Sequence, residues 1–365
     1  MPAPDYLRVD AFLRDAVGAR ALATAFELGV IDRLRAPGAS SAFPAGVDAA
    51  GAGLLLEALR ARGVVEGEGP VPRLSPAFES ALVHRELLEA KLAMLDLVGP
   101  DFLELFTALV ADPGRFQRSA RLFELFSYGR AYEETPENLA HASRWVRFTT
   151  ALTRHEAPPL LDAVDFAGIR RMLDVGGNSG EFALQACRRH PVLRATVLDL
   201  PVVCALGERH VARADERDRV AFIRVAGEQA PFPAGHDLVA FKSMLHDWPD
   251  DDVRAFLRKA RAALPSGGRL VVLERAAPVR GDFAWGDLPV VLFFRAYRTA
   301  GAYRILLEEA GFRDLRFSTV DLDMPFHVIT AAACTGSTRT REKGSSISAS
   351  GSTRRPRPPG ASCVP

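Results

Sequence analysis

The stretch "MLDVGGNSGEFALQA", residues 172–186, places three glycines within five positions, between an apolar run and a helix-like run. The segment "RRMLDVG" is typical of a buried strand, and "GEFALQACRRH" is typical of a helix. Gly176, Gly177 and Gly180 therefore lie in a strand-to-helix turn, where glycine permits a tight turn and the close approach of a ligand. Ligands of open α/β sheets bind at this carboxyl edge of the strands, so the turn predicts a binding site.

The spacing of the glycines and the acids around them indicate which ligand binds. The dinucleotide fingerprint GxGxxG is not satisfied from any start; the pattern is DxGxxxG, with Asp174 at the strand end. A carboxylate there attracts a cation and repels a pyrophosphate. Asp199 ends the next strand-like run, "ATVLDL", where it can accept hydrogen bonds from ribose hydroxyls. The two acids suit the shape and charge of S-adenosylmethionine, but an ordinary α/β turn without a ligand stays open on these residues alone. The turn, the spacing and the next motif together favour the cofactor.

Composition and the order of helix-like and strand-like segments divide the 365 residues into three regions. Hydrophobic residues make up 48% of the chain, charged residues 25%, and the net charge is +1, which favours a globular protein without an affinity for nucleic acid or membrane. Residues 1–155 are predicted to be mostly helical, with a winged-helix-like hairpin at 64–74. Residues 156–333 alternate strand and helix, which predicts a Rossmann-like α/β domain ending in an antiparallel strand pair. Residues 334–365 form a basic Ser/Pro/Arg-rich tail that is predicted to be disordered.

The cysteines and the apolar runs argue against several other classes of protein and site. The four cysteines are scattered and form no CxxC pair, so neither a metal site nor a disulfide framework is expected, and a reducing cytoplasm fits. No signal pattern opens the chain, and no run of 18 apolar residues is present to span a membrane.

The segment "DLVAFKSMLHDWPDDD" supplies a candidate base. "DLVAFKS" is predicted to be the fourth strand, so His246 follows its end at the same edge as the glycine turn. An imidazole with a pKa of about 6.5 can take the proton of a phenol, whose pKa is about 10, and such help is worth roughly 10²- to 10⁴-fold in rate. Glu274 ends the next strand, "RLVVLE", where it can orient the imidazole. A structural histidine and a solvated strand-end acid are the alternatives.

Five stretches together resemble a known family: "LDVGGNSG", "VLDLP", "LHDWPDDD", "GGRLVVLE" and "LLEEAGF". They are similar to the class I S-adenosylmethionine-dependent O-methyltransferases of the plant caffeic-acid and bacterial polyketide (anthracycline) type. The resemblance covers about residues 10–333. It implies a helical, winged-helix-like dimerisation domain that does not bind DNA, a homodimer, and a Rossmann-like methyltransferase domain.

The resemblance also assigns residues to roles. S-adenosylmethionine is the implied cofactor and S-adenosylhomocysteine its product, with the cofactor positions falling on Gly176, Asp199, Leu200, Glu228 and Lys242. His246 matches the general base of the family, and Glu274 matches one of its two flanking acids. The second acid belongs in the segment "FFRAYRTAGAYR", where this chain has Tyr297. A phenol cannot compensate an imidazolium as a carboxylate does, so this position departs from the family pattern.

Aromatic residues near these motifs predict an aromatic substrate. The candidates for the substrate pocket are Trp145, Phe148, Leu152, Phe293, Phe294 and Tyr297, and Arg147, Arg154, Arg295 and Arg298 are candidates for pairing with a substrate carboxylate. The predicted function is methylation of a phenolic hydroxyl of an aromatic or polyketide-type molecule in bacterial secondary metabolism. The alternatives are C- or N-methylation, a structural use of the cofactor in hydroxylation-type chemistry, and a non-catalytic winged-helix regulator that senses a ligand.

Overall fold

A computed structural model describes residues 4–69, 71–225, 227, 229–276 and 284–333. Up to residue 162 the described chain consists of helices and one short hairpin. The helices are α1 (Ala16–Glu27), α2 (Val30–Arg35), α3 (Ala49–Ala61), α4 (Pro76–Ala81), α5 (Arg85–Ala111), α6 (Pro113–Ser119), α7 (Arg121–Leu125) and α8 (Pro136–Asp162). Short 3-10 turns cover Asp5–Phe12, Leu82–His84 and Tyr128–Tyr132. The hairpin pairs β1 (Val65–Glu66) with β2 (Arg73–Leu74), as the sequence predicts, although each strand has only two residues.

Side-chain caps and prolines explain where several of these helices begin. Asp15 accepts a hydrogen bond from the amide of Gly18 at 2.7 Å, which begins α1. Ser75 and Thr135 cap α4 and α8 in the same way, and each is followed by a proline at the first helical position. Helix α8 runs to Asp162, so the predicted domain boundary at residues 155 and 156 falls inside it, and the division into domains stays a prediction.

The rest of the described chain forms a seven-stranded sheet covered by helices, and the predicted fold class is confirmed. The strands are β3 (Arg171–Val175), β4 (Arg194–Asp199), β5 (Val220–Arg224), β6 (Leu238–Lys242), β7 (Arg269–Arg275), β8 (Phe312–Asp321) and β9 (Pro325–Ala333). Their order is β5-β4-β3-β6-β7-β9-β8; the first five are parallel, and β8 and β9 are antiparallel. The helices here are α9 (Glu181–Arg189), α10 (Pro201–Val211), α11 (Asp250–Ala263), α12 (Leu288–Val291) and α13 (Ala300–Glu309).

Alternating side chains of the central strands build one hydrophobic core on each face of the sheet. On β3, Met172 enters the core that includes α9, whereas Leu173 and Val175 enter the core that includes α11 and α13. The central strands are apolar on both faces, which is typical of a covered parallel sheet. Because parallel strands all end at the same edge, the ends of β3, β4, β6 and β7 bring the predicted site residues together. The predicted tail at 334–365 lies outside the described residues.

Candidate active site

The glycine turn follows β3 directly and leaves no room for side chains. Gly176 and Gly180 have φ angles of 67° and 78°, which glycine adopts without strain. A Cβ on Gly177 would lie 2.5 Å from Oδ2 of Asp174, and a Cβ on Gly176 would lie 2.5 Å from Cγ of Met244. The turn therefore packs its backbone directly onto the end of β3 and the loop after β6.

Two buried carboxylates stand beside this turn. Asp174 is fully buried, and within the described part of the chain neither of its carboxylate oxygens has a hydrogen-bond partner. Burial and the charge of Asp199 raise the pKa of Asp174 to about 7, although Lys242 opposes the shift. Asp199 accepts hydrogen bonds from the amides of Asn178 (2.8 Å) and Leu200 (2.7 Å), and burial still raises its pKa to about 6. An unpartnered buried acid indicates a site that is completed by a ligand.

Two further predicted cofactor residues, Lys242 and Leu200, lie in different surroundings. Lys242 ends β6, but its ammonium group donates to Thr153 Oγ1 at 2.9 Å and pairs with Glu156, both on α8. This pairing turns the ammonium group toward α8, while its charge still lowers the pKa of Asp174. Leu200 is the residue before α10, and its amide is bound by Asp199. Glu228 lies outside the described residues.

His246 and Glu274 form a hydrogen-bonded pair at the ends of neighbouring strands. Nδ1 of His246 lies 2.8 Å from Oε2 of Glu274. The other oxygen of Glu274, which is fully buried, accepts the amides of Met244 (2.8 Å) and Leu245 (2.6 Å). Because a carboxylate only accepts, the neutral imidazole carries its proton on Nδ1 and offers the lone pair of Nε2 as a proton acceptor.

The charges around His246 shift its pKa upward. Burial alone would lower the pKa of the imidazole, but the neighbouring carboxylates of Asp247 and Glu274 outweigh burial and raise it above its usual value. Burial likewise opposes the ionisation of Glu274, yet His246 and the two loop amides hold the pKa of this acid below its usual value. The pair therefore stabilises an imidazolium once the ring has taken a proton.

Asp247 and Tyr128 are site residues that the sequence analysis missed. Oδ1 of Asp247 lies 3.4 Å from Nε2 of His246, and its Oδ2 accepts a 2.7 Å hydrogen bond from the hydroxyl of Tyr128. Asp247 was visible as the neighbour of His246 in the "LHDW" motif. Tyr128 lies 119 positions earlier in the chain and carried no signal in the sequence.

Tyr297, where the family resemblance leads us to expect a second acid, contacts the imidazole without bonding to it. Its ring centre lies 5.5 Å from that of His246, while its hydroxyl donates to the carbonyl of Val290 at 2.9 Å. Burial raises the pKa of Tyr297 above its usual value, so the phenol stays neutral. Asp247 is consequently a second carboxylate beside the imidazole, approaching from the Nε2 side.

A wall of aromatic rings extends from His246 into the N-terminal helices. Phe293 lies 6.2 Å from the imidazole, Phe126 lies 5.8 Å from Phe293, and Trp145 lies 5.9 Å from Phe126. We call these three residues and Tyr128 the aromatic wall. Its members come from α8, the segment 126–128 and the turn after α12, and they contact one another edge-on or tilted, the geometry that aromatic rings prefer.

The other predicted substrate residues have different neighbours. Phe148 and Leu152 are buried in the core of the N-terminal helices, and the guanidinium of Arg295 stacks on Phe294 at 4.6 Å. The four arginines considered for a substrate carboxylate already have partners within the protein: Arg147 has Glu89, Arg154 has Glu86 and Glu181, Arg295 has the carbonyl of Leu109, and Arg298 has Asp250 and the carbonyls of Leu245 and Trp248.

A known protein family includes sequences similar to the part of the chain that forms this site. A family model described as an O-methyltransferase domain matches residues 110–313, more than half of the chain. The chain belongs to this O-methyltransferase family. The recognition from the sequence motifs is thereby confirmed.

Several curated proteins are similar to parts of this chain. A 3-hydroxy-5-methyl-1-naphthoate 3-O-methyltransferase of Streptomyces sahachiroi is 36% identical over 166 residues, which cover 44% of this chain and 48% of the relative. An aclacinomycin 10-hydroxylase of Streptomyces purpurascens is 38% identical over 130 residues, covering 36% of this chain and 34% of the relative. The chain thus spans about half or less of the length of these curated relatives.

A solved structure supports the fold. Human N-acetylserotonin methyltransferase, in complex with SAM, superposes with a TM-score of 0.69 at 24% identity, covering 87% of this chain and 94% of the human chain.

In the described residues, no cluster of three or more His, Cys, Asp or Glu side chains could hold a metal ion. Within the same residues, the helices are too short or too polar to cross a membrane.

Proposed function

We propose that this protein is an S-adenosylmethionine-dependent O-methyltransferase that acts on a phenolic hydroxyl of an aromatic small molecule. The observation that carries the proposal is the His246–Glu274 pair, which leaves Nε2 as a proton acceptor on an imidazole whose ring centre lies 6.2 Å from that of Phe293 in the aromatic wall. Membership of the O-methyltransferase family supports the same reaction.

The residues around the glycine turn fit S-adenosylmethionine. The unpartnered carboxylate of Asp174 suits a ligand that brings a cation or hydrogen-bond donors. Asp199 ends the neighbouring strand and would bind the ribose hydroxyls. When bound, the cofactor supplies an electrophilic methyl group on a sulfonium and is left as S-adenosylhomocysteine.

On the acceptor side, His246 removes the proton from the substrate hydroxyl. The proton moves to Nε2, and Glu274 holds the resulting imidazolium through Nδ1. Asp247 lies on the Nε2 side, where its charge also favours the protonated ring and replaces the acid that Tyr297 displaces. The oxygen that loses its proton becomes the nucleophile. The aromatic wall holds the aromatic substrate in place and excludes water.

The neighbouring rings support an aromatic substrate. Phe293 lies beside the imidazole, and Phe126 and Trp145 continue the aromatic wall away from it. A naphthoate O-methyltransferase among the relatives supports a fused aromatic substrate and a role in bacterial secondary metabolism.

Product analysis tests the proposal. The protein is incubated with S-adenosylmethionine and a panel of hydroxynaphthoates, phenols and hydroxylated polyketides, and the products are identified by mass spectrometry and NMR. We expect one added methyl group on a phenolic oxygen and one equivalent of S-adenosylhomocysteine. Cofactor binding without methylation of any oxygen in the panel would contradict the proposal.

A second candidate is a same-fold enzyme that methylates carbon or nitrogen, or that uses the cofactor in hydroxylation-type chemistry. Two observations favour keeping it: Tyr297 occupies the place of the second acid, and a 10-hydroxylase is among the relatives. In the same assay, methyl groups on carbon or nitrogen, or a product heavier by one oxygen atom, would support this candidate.

We further propose that the protein is a cytoplasmic homodimer that assembles through residues 1–155. Leu103, Phe106 and Val110 are 69%, 46% and 61% exposed, and they form an apolar stripe on α5. The buried thiols of Cys187 and Cys204 are free, which fits a reducing compartment. Light scattering of the wild type and of Phe106→Glu tests the dimer: we expect the charge to lower the mass to that of a monomer, and a wild-type monomer would contradict the proposal.

A further inference from the structure

The loop at residues 243–249 joins β6 to α11 and carries His246. It leaves the strand through Ser243, a non-glycine residue in the left-handed region with a φ of 51°. A non-glycine residue in this region is strained and persists where its surroundings hold it. Inside the loop, a short 3-10 turn (Leu245–Asp247) has two backbone hydrogen bonds: the amide of Asp247 donates to the carbonyl of Met244 at 3.2 Å, and the amide of Trp248 donates to the carbonyl of Leu245 over a long 3.4 Å. The loop therefore depends on contacts from outside itself.

One carboxylate and one guanidinium hold the backbone of this loop: the carboxylate accepts hydrogen bonds from amides, and the guanidinium donates hydrogen bonds to carbonyls. Glu274 accepts the amides of Met244 and Leu245 on the side of β7. Arg298, which directly precedes the cap of α13, donates to carbonyls on the other side. Its Nη1 donates to the carbonyl of Leu245 at 2.8 Å, and its Nη2 donates to the carbonyl of Trp248 at 2.5 Å.

These two carbonyls stand on either side of His246 and Asp247 in the chain. A planar guanidinium fixes two acceptors at once in a rigid fork, which a lysine cannot do. Nε of Arg298 donates to Asp250 at 2.8 Å, which orients the fork, and the arginine side chain is only 11% exposed. The residues directly before and after His246 and Asp247 are therefore both hydrogen-bonded to the side chain of Arg298.

We propose that Arg298 is a positioning residue: it holds the loop so that His246 keeps its hydrogen bond to Glu274 and directs Nε2 toward the substrate hydroxyl. The inference deepens the proposed function and rests on it. Arg298 touches neither the substrate nor the cofactor in this proposal, and it acts only through the backbone of the loop.

Arg254 provides a matched control. It also links α11 to α13, because its Nε donates to Glu309 at 2.8 Å and its Nη1 lies 3.3 Å from Asp251. Arg254→Ala thus removes an arginine between the same two helices without removing a contact to the catalytic loop. Comparing it with Arg298→Ala separates positioning from helix attachment.

The first measurement is steady-state kinetics of the full-length variants with the phenol that the wild type methylates best. We expect Arg298→Ala to lower kcat by about 10- to 100-fold, while the Kd for S-adenosylmethionine and the KM for the phenol stay within about threefold. Arg298→Lys should recover part of kcat, and Arg254→Ala should stay within about twofold of the wild type. Equal kcat losses in Arg254→Ala and Arg298→Ala would overturn the proposal.

The second measurement does not depend on turnover. In the ¹⁵N-histidine-labelled protein, the Nδ1 proton of His246, assigned with His246→Gln, should give a downfield signal because it is bound to Glu274. We expect Arg298→Ala to weaken or shift this signal and Arg254→Ala to preserve it; an unchanged signal in folded Arg298→Ala would overturn the positioning role. If the wild type methylates no phenol and the signal still responds, the proposed function fails and the positioning role stands.

Discussion

The cofactor side and the acceptor side of the candidate site are assembled in different ways. The cofactor side comes from one turn and two neighbouring strand ends, with Asp174, the glycines and Asp199 lying within 26 residues of sequence. The acceptor side joins segments that are far apart: His246 meets Glu274 28 positions away, and Asp247 meets Tyr128 119 positions away. The first is a local motif. On the acceptor side, His246 and Glu274 meet at neighbouring strand ends, whereas Tyr128 reaches Asp247 only once the N-terminal helices have packed on the sheet.

This difference has a consequence for mutations. Substitutions on the cofactor side should change the affinity for S-adenosylmethionine and leave the chemical step intact. Substitutions on the acceptor side should lower turnover at unchanged cofactor affinity, because the proposed mechanism has the base and its partners act on the substrate oxygen.

The largest effect is expected for His246→Ala. Loss of the base should lower kcat by about 10²- to 10⁴-fold. The Kd for S-adenosylmethionine, measured by calorimetry, should not change. His190→Ala, which alters a histidine stacked on Phe166, is the control and should keep wild-type activity. Full activity of His246→Ala would defeat the assignment of the base.

Gly177→Ala tests the cofactor side. The added Cβ would lie 2.5 Å from Oδ2 of Asp174 and 3.0 Å from Cγ1 of Val197, and such overpacking costs about 1–3 kcal/mol. The Kd for the cofactor should rise by about 5- to 150-fold, with kcat at saturating cofactor nearly unchanged. Gly53→Ala on α3, where nothing lies within 4 Å of the new Cβ, should leave both constants unchanged. A fall in kcat alone for Gly177→Ala would break the separation.

The pH dependence of cofactor affinity tests Asp174. Its raised pKa of about 7 means that the free protein holds a proton there at pH 6, and this proton must leave before a cation binds. Affinity should therefore weaken by about tenfold for each pH unit below 7 and level off above it. Calorimetry between pH 5.5 and 8.5 measures this slope. Asp174→Asn should flatten it, apart from the contribution of Asp199, whose pKa is about 6; an equal slope in the variant would exclude Asp174 as the titrating group.

The smallest effect is expected for Tyr128→Phe. Removing the 2.7 Å hydrogen bond to Asp247 should lower kcat about two- to tenfold, since one such bond contributes about 0.5–1.5 kcal/mol. The pKa of Asp247, which burial already raises, should rise further, so the loss should be greatest at low pH. Tyr132→Phe, in the same 3-10 turn, is the control. Altered cofactor affinity in Tyr128→Phe would show that the two sides are coupled.

The sequence alone was sufficient to predict the seven strands, the hairpin and the residues at the strand ends, including His246 and Glu274. The reason is that hydrophobic periodicity reports local backbone conformation, and parallel strands necessarily end at one edge. Only the tertiary structure decided which distant side chains reach that edge. Tyr128 donates a hydrogen bond to Asp247, Arg298 donates to the carbonyl of Leu245 in the loop at residues 243–249, and Lys242 pairs with Glu156 of α8. These contacts depend on how helices pack against the sheet, and no local pattern in the chain encodes that packing.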